Sequence, residues 1–127
     1  MFDKSERSTF KYWFAHWCAF QLTALNLRVW RFKYLFHDIE KPWLRLLFRG
    51  NYAKVQRWHR HHNNHHLQYP GKKDYIAMVL DWECSKLTKT SSPYTAYGWY
   101  LKKKDEVSDY DNREIEKALR ELNLWDK

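Results

Sequence analysis

Glycine and proline are scarce in this sequence, with three of each among 127 residues. These residues supply most breaks between regular elements, so few breaks are available. Few stretches alternate apolar and polar residues with the period of two that marks a β-strand. We therefore expect an all-α fold, a single compact bundle of about six to seven helices.

The few breaks predict where the helices begin and end. The Ser8-Thr9 pair and Asp74 can cap helix N-termini, and Pro42 suits a first helical turn. Asn51 is expected to begin the fourth helix. Gly50, Pro70-Gly71 and the Ser91-Ser92-Pro93 segment predict ends. In chain order the expected helices cover about 9–25, 28–37, 42–48, 51–69, a segment from 74, 94–103, and a last amphipathic helix after 109–111.

The length of the chain limits it to one domain with a real core. We expect a single domain over 1–127, with a motif-bearing core at about 10–90 and C-terminal helices at 94–124 packed on it. Aromatic residues make up 19% of the chain, and on helices they belong to a core more often than to a ligand platform. General disorder is not expected of such a composition.

The net charge of +8 indicates an anionic partner, which is a nucleotide, a nucleic acid or phosphate itself. Lys102–Lys104 are expected at a solvated helix end.

Cys18 and Cys84 are too few for a disulfide framework and predict buried free thiols, in keeping with a cytoplasmic location (the host cytoplasm for a phage-encoded protein). No signal peptide or apolar stretch of spanning length is visible, so we expect no membrane partner. The oligomeric state stays open.

Five of the seven histidines fall between positions 59 and 66. In a continuous helix, His59, His62, Asn63 and His66 would share one face, while His61 would be exposed and His65 would point away from His59. Other candidate ligands lie on different expected helices, at His16, His37-Asp38 and Asp81. Imidazoles and carboxylates that converge within a bundle suit one or two divalent ions, from zinc, manganese, iron, nickel, cobalt and magnesium.

The order His, His-Asp, His, His, Asp on successive helices resembles the HD-domain superfamily of metal-dependent phosphohydrolases. Residues 37–41, His-Asp-Ile-Glu-Lys, resemble the His-Asp-Ile-Gly-Lys segment of its cyclic-dinucleotide phosphodiesterase branch. The chain is also similar, over roughly 10–90, to a family of small phage and bacterial proteins catalogued as a domain of unknown function. That family's H-x3-N-x-H-H-x2-Y motif is matched by His59, Asn63, His65-His66 and Tyr69.

Two departures limit what the resemblance implies. Glu40 replaces the glycine of the phosphodiesterase segment, and the Gly-Tyr-Pro signature after its histidine pair is absent. Hydrolysis of cyclic dinucleotides is therefore not carried over. Glu40 and Glu83 are expected at the surface.

The resemblance implies a shared site with two metals. His16, His37, Asp38 and Asp81 would bind the first metal, and His59 with His65 or His66 would bind the second, with Asp38 bridging both. Two metals about 3.5–4 Å apart would hold a hydroxide nucleophile. Asp38 and Lys41 would be catalytic, and Lys41, Arg57 and Arg60 would contact phosphate. Asn63, Tyr69 and His62 would orient imidazoles. The helical-face argument favours His62 and His66, whereas the family motif favours His59, His65 and His66.

Simpler interpretations exist for two of these residues. His16 lies among aromatic residues, and a lone histidine in that position is more often a satisfied core residue than a ligand. Asp81 needs a compensating partner when it is buried on an apolar helix, which either a metal or a salt bridge supplies. Both interpretations stay open at the level of the sequence.

Three functions are compatible with this pattern. The first is a metal-dependent phosphohydrolase that acts on a nucleotide or a related small phosphorylated substrate. The second is an HD-like di-iron oxygenase. The third is a non-catalytic, metal-stabilised helical protein whose basic surface binds nucleic acid.

Overall fold

The computed structural model describes residues 9–49, 51–88 and 95–126. Within these ranges it contains helices and no β-strand, which confirms the all-α class. The expected breaks at Gly50 and Ser91–Pro93, and the expected helix start at Tyr94, lie outside the described residues. The α-helices are α1 (Phe10–Asn26), α2 (Lys41–Leu47), α3 (Tyr52–His62), α4 (Tyr75–Glu83), α5 (Ala96–Lys103) and α6 (Asp109–Glu121). Short 3-10 helices cover Phe32–Phe36, Cys84–Leu87 and Lys104–Glu106.

Helix α4 forms the centre of the core. Its middle residues, Met78, Val79 and Leu80, are fully buried, and the helix packs against α1, α5 and α6. Asp74 caps its N-terminus, because the Asp74 carboxylate accepts a hydrogen bond from the backbone N–H of Ala77 at 3.0 Å. This placement puts Asp81, near the C-terminal end of α4, next to α1.

The prediction of a helix over 28–37 is wrong. Only Phe32–Phe36 is helical, and that segment is a 3-10 helix. The preceding Arg28 has φ 60°, which interrupts helical geometry. We attribute the difference to hydrogen bonds that helix α1 makes to the backbone of this segment.

Three α1 side chains, each four residues from the next, hold the segment from 34 to 38 against α1. The Trp13 indole N–H donates to the carbonyl of Asp38 at 2.7 Å, and the Trp17 indole N–H donates to the carbonyl of Leu35 at 3.0 Å. The Gln21 amide donates to the carbonyl of Tyr34. These donors occupy the carbonyls of Tyr34, Leu35 and Asp38, and the backbone bonds to two of them are those of tight turns, His37 N–H to Tyr34 and Lys41 N–H to Asp38, both at 3.1 Å. The same contacts fix the position of His37 and Asp38.

Helix α3 ends at His62, not near Tyr69 as expected. Asn63 leaves helical geometry with φ −125° and ψ 127°. Its side-chain amide donates to the carbonyl of His59 at 2.8 Å, in place of the backbone N–H that would continue the helix. The backbone N–H of Asp74 donates to the carbonyl of Asn64 at 2.9 Å and closes the loop that follows. His65 and His66 therefore lie in this loop.

Glu83 is buried, so its expected place at the surface is wrong. Its carboxylate accepts a hydrogen bond from the backbone N–H of Ala96 at 2.9 Å and one from Lys86 at 2.9 Å. Glu83 thus satisfies one of the free N–H groups at the start of α5 and connects α4 to that helix. Cys84, next to it, is a buried free thiol, whereas Cys18 is only half-buried.

Several large apolar side chains remain exposed on the 3-10 helix and on α2. Phe32, Trp43, Leu46 and Leu47 are each about 70% exposed or more, while Leu44 faces the core. No described helix combines the length and the apolar character needed to cross a membrane.

Candidate metal centre

The first group of candidate ligands contains His16 from α1, His37 and Asp38 from the segment before α2, and Asp81 from α4. Asp81 Oδ1 lies 2.9 Å from His16 Nε2 and 3.1 Å from His37 Nε2. The two Nε2 atoms are 3.3 Å apart, and Asp38 Oδ2 is 3.4 Å from each of them. One ligand atom from each of the four residues therefore faces one common point.

Packing fixes the orientation of the two imidazoles in this group. The Phe20 ring stacks on the His37 imidazole, with ring centroids 3.7 Å apart and an interplanar angle of 11°. Cys84 Sγ lies 3.8 Å from His16 Nδ1, on the side of the ring away from the ligand atoms. Both imidazoles are buried, so their Nε2 atoms are directed at the carboxylates by the core itself.

The second group contains Asp38 again, His59 from α3, and His65 and His66 from the following loop. Asp38 Oδ1 lies 2.9 Å from His59 Nε2 and 3.2 Å from His65 Nε2. Asp38 thus directs one carboxylate oxygen toward each group. The Asp38 backbone has φ 57°, in the left-handed region, and this turn aims the carboxylate between the two sets of imidazoles.

Unsatisfied polar atoms test whether the second group suits a metal. Asp38 Oδ1 and the Nε2 atoms of His59, His65 and His66 are all buried, and none has hydrogen-bond geometry with any described residue. Leaving four buried polar atoms without partners is costly. A cation at the point they face would satisfy all four.

The spacing of the ligand atoms gives a second test. Imidazole nitrogens and carboxylate oxygens bind divalent metals at roughly 2.0–2.2 Å, so ligands of one ion lie about 3 Å from each other. The separations of 2.9, 3.1, 3.3 and 3.4 Å in the first group agree with this value. Both groups of buried histidines and aspartates could therefore hold a metal ion.

The protonation states of the carboxylates agree with that role. Burial on its own would raise the pKa of Asp38 and of Asp81. The surrounding imidazoles, with Lys41 beside Asp38, outweigh burial and hold both pKa values well below the usual range. Both groups are therefore anionic at neutral pH, which is the form that binds metals.

The imidazoles divide into two pairs by protonation. Burial lowers the pKa of His37 to about 4 and, together with the neighbouring His65, lowers the pKa of His66 to about 2. Burial also opposes charge on His16 and His59, but neighbouring groups outweigh it and raise both pKa values. These groups are Cys84 and the Asp81 carboxylate for His16, and the Asp38 carboxylate for His59. His37 and His66 are therefore neutral at pH 7, whereas a metal ion would have to compete with protons for His16 and His59.

Glu40 orients His59, so the expectation that it lies at the surface is wrong. The Nδ1–H of His59 donates to a Glu40 carboxylate oxygen, and this fixes the opposite nitrogen, Nε2, toward Asp38. The Asn63 amide donates to the same Glu40 oxygen at 2.7 Å. A carboxylate behind a histidine raises the basicity of the ligand nitrogen and sets its tautomer. Asn63 was expected to orient an imidazole, and the structure places it in this network.

Two other residues expected to orient imidazoles lie elsewhere. The His62 ring is exposed, stacks on Trp58 and hydrogen-bonds the Trp58 carbonyl, because α3 directs it away from Asp38. The Tyr69 ring packs against Gly71, and among the described residues no hydrogen bond joins it to an imidazole. The prediction that His59, His62, Asn63 and His66 share one helical face is therefore wrong, because the helix ends before position 63. His61 is exposed as expected.

A cavity of about 660 Å³ opens beside the two groups. Lys41, the first residue of α2, lines it and places its Nζ 3.5 Å from Asp38 Oδ2. Arg57 and Arg60 of α3, which were expected to contact phosphate, also line it. Lys103 of α5 also lines the cavity and is half-buried, so it is not part of a fully solvated helix end.

Aromatic side chains complete the cavity wall. Sequence reasoning assigned them to the core, because no local pattern shows which aromatic residues meet a cavity lined by five helices. They are Tyr12, Tyr52, Trp82 and Trp99.

Comparison with protein-family models, with curated proteins and with solved structures finds no match to this chain. The assignment of the site therefore depends on the geometry of its residues.

Proposed function

We propose that this chain is a metal-dependent phosphohydrolase with an HD-like site, acting on a nucleotide or a related small phosphorylated substrate. One observation carries the proposal. Two groups of four candidate ligands, three buried and one half-buried in each, share Asp38 and lie beside a cavity that basic side chains also line. The resemblance of residues 37–41 to an HD-domain segment supports the same interpretation.

The ligand chemistry supports a hydrolytic role. A pair of divalent ions in such a site generates a hydroxide nucleophile from water and stabilises charge on phosphoryl oxygens. The chain itself supplies the remaining groups. Lys41, 3.5 Å from the shared carboxylate, places a positive charge where a phosphoryl oxygen would lie beside Asp38. Burial opposes the charge on Lys41, but Asp38 and neighbouring groups raise its pKa, so Lys41 is a cation.

The cavity supports a small substrate. Its volume of about 660 Å³ falls within the range of roughly 300–1,000 Å³ that small-molecule sites have. Arg57 and Arg60 supply guanidinium groups that match phosphate geometry. The aromatic wall offers flat apolar surfaces for a nucleobase or a similar ring.

The test is phosphate release by untagged protein supplied with manganese, nickel or cobalt, with a panel of nucleotides as substrates. We expect one or two metal ions per chain and metal-dependent turnover that Asp38→Asn abolishes. Glu116→Gln, an exposed carboxylate on α6, is the matched control and should leave turnover unchanged. Metal content well below one ion per chain after metal supply would overturn the proposal.

A di-iron oxygenase is the second candidate, and the histidine content of the second group favours it. Three imidazoles and one carboxylate suit iron as well as manganese. Oxygen consumption by the iron-loaded protein, without phosphate release, would select this function. Steeply salt-dependent binding of nucleic acid without any turnover would select the non-catalytic alternative instead.

A further inference from the structure

Three basic side chains at the cavity have no anionic partner. Arg57 and Arg60 from α3 and Lys103 from α5 all line it, and none forms an ion pair with a residue that the structure describes. The carboxylates that line the cavity are those of Asp38 and Asp81, and both belong to the candidate ligand groups. Glu106 lies close enough to Lys103 to raise its pKa, but Glu106 does not line the cavity. Within the cavity lining, the three cations are therefore not paired with a carboxylate of their own.

The two helices bring these charges close together. Lys103 is half-buried, with its Nζ 5.6 Å from the centre of the Trp99 ring. Burial, followed by the nearby Arg60 guanidinium, lowers the pKa of Lys103. Like charges that converge at a cavity repel each other, and a bound polyanion relieves that repulsion.

A count of charges shows what kind of anion fits. With two divalent ions bound, the metal centre would carry a net charge of about +3. The ions contribute +4, the carboxylates of Asp38 and Asp81 contribute −2, and Lys41 contributes +1. A phosphomonoester carries only about −1.5 to −2 at pH 7, so one phosphate group is already neutralised at the metal centre. Arg57, Arg60 and Lys103 add three further positive charges. A second phosphate on the ligand would give these cations an anion to bind, beyond the solvent that reaches Arg57 and Arg60 and the Glu106 carboxylate near Lys103.

We propose that Arg60 and Lys103, assisted by Arg57, form a second anion subsite, and that the ligand of this site carries two or more linked phosphate groups. Within the proposed function, on which this inference rests, the substrate class is then a nucleoside di- or triphosphate or a similar polyphosphorylated small molecule. The phosphate to be cleaved lies at the metal centre beside Lys41, and the remaining phosphate lies between α3 and α5. A nucleoside monophosphate leaves the second subsite empty.

The test compares two probes that cannot be hydrolysed, inorganic phosphate and methylenediphosphonate, by calorimetric titration into the metal-loaded full chain. The wild-type protein should bind the diphosphonate at least about tenfold more tightly than phosphate. Arg60→Gln and Lys103→Gln should each weaken diphosphonate binding by about tenfold, the value of one charge-assisted contact. Neither should change phosphate binding. Metal content measured after each titration verifies that the diphosphonate has not removed the ions.

Lys102→Gln is the matched control, because Lys102 is the exposed neighbour of Lys103 and does not line the cavity. It should leave both affinities unchanged. Equal affinity of the wild-type protein for the two probes, or equal effects of Lys102→Gln and Lys103→Gln, would overturn the subsite. The assignment to a small ligand would be overturned if a DNA or RNA oligonucleotide displaced the diphosphonate and bound Arg60→Gln and Lys103→Gln more weakly by the same factor as the diphosphonate does.

The outcome also separates this inference from the proposed function. If the diphosphonate preference holds but no ester is hydrolysed, the subsite stands and the phosphohydrolase proposal fails. If nucleotides are hydrolysed but Arg60→Gln and Lys103→Gln affect mono- and diphosphates equally, the subsite fails and the phosphohydrolase proposal stands.

Discussion

Removal of the Glu40 carboxylate should weaken metal binding at the second group without affecting the first. Glu40 accepts hydrogen bonds from His59 Nδ1 and from the Asn63 amide. Glu40→Ala removes both, so the His59 imidazole loses the group that sets its tautomer and its direction toward Asp38. Among the described residues, the hydrogen bonds and ion pairs of the Glu40 carboxylate go to His59 and Asn63 and not to a member of the first group.

The structure indicates the size of the effect. A hydrogen bond to a charged group contributes roughly 1.5–3 kcal/mol, and loss of a carboxylate behind a metal-bound histidine lowers metal affinity by about 10- to 100-fold. The Glu40 side chain is 25% exposed, so water can replace part of the lost contact. We therefore expect the lower end of the range, about tenfold. Glu40→Gln keeps an acceptor for His59 and should have a smaller effect.

The assay is a titration of metal-free protein with manganese or zinc, analysed for two binding events and supported by metal analysis after dialysis. In Glu40→Ala we expect one event to weaken by about tenfold and the other to keep its affinity. Glu116→Gln on α6 is the control for loss of an acidic side chain. If Glu40→Ala binds both ions with wild-type affinity while circular dichroism shows an intact fold, Glu40 does not orient His59.

Three further predictions concern the ligand groups and the fold. Asp81→Asn should remove the ion of the first group alone and His66→Ala should weaken the second alone, because each residue belongs to only one group; metal analysis that shows both ions lost in either variant would contradict this. Removal of metal with a chelator should lower the melting temperature, since an ion at 100 times its dissociation constant stabilises the folded chain by about 2.7 kcal/mol; an unchanged melting temperature would argue against bound metal. Asp74→Ala should destabilise the protein by about 1 kcal/mol at pH 7 through loss of the α4 cap. Burial raises the pKa of Asp74, but Lys33 and the Ala77 N–H lower it overall, so this stabilisation is present above the unfolded pKa and is lost as pH falls through the folded pKa. Urea titrations of the two proteins from pH 7 to pH 3 should converge in acid.

Local signals predicted most of the helices. Asp74 caps its helix as expected, and the expected cap at Ser8-Thr9 and the expected helix start at Asn51 correspond to caps by Thr9 and Asn51. Such starts are visible locally, because a side chain that bonds an N–H three residues later needs no distant partner. The segment before His37 was predicted incorrectly for the opposite reason. Its carbonyls are bonded by Trp13 and Trp17 of α1, and no local pattern shows which tertiary donors will reach a backbone.

The candidate ligands were visible in the sequence, but their arrangement was not. The extension of α3 past Asn63 led to an incorrect helical face containing His62. The Asn63-Asn64 pair was a local signal of the helix end, since asparagine competes with helical hydrogen bonds. Glu40 was recognised only as a departure from a glycine. Its contact with His59 depends on how α3 packs against the start of α2, which the sequence does not encode locally.

The left-handed backbone at Asp38 restricts which residues position 38 can hold. Glycine, asparagine and aspartate adopt φ near 57° most readily, whereas other side chains meet a backbone cost of roughly 1–2 kcal/mol. Glycine provides no ligand, and asparagine provides no negative charge. Glutamate provides a carboxylate but needs a longer side chain in a conformation that disfavours it. Selection for folding alone would accept all three favoured residues, whereas selection for metal binding would retain aspartate.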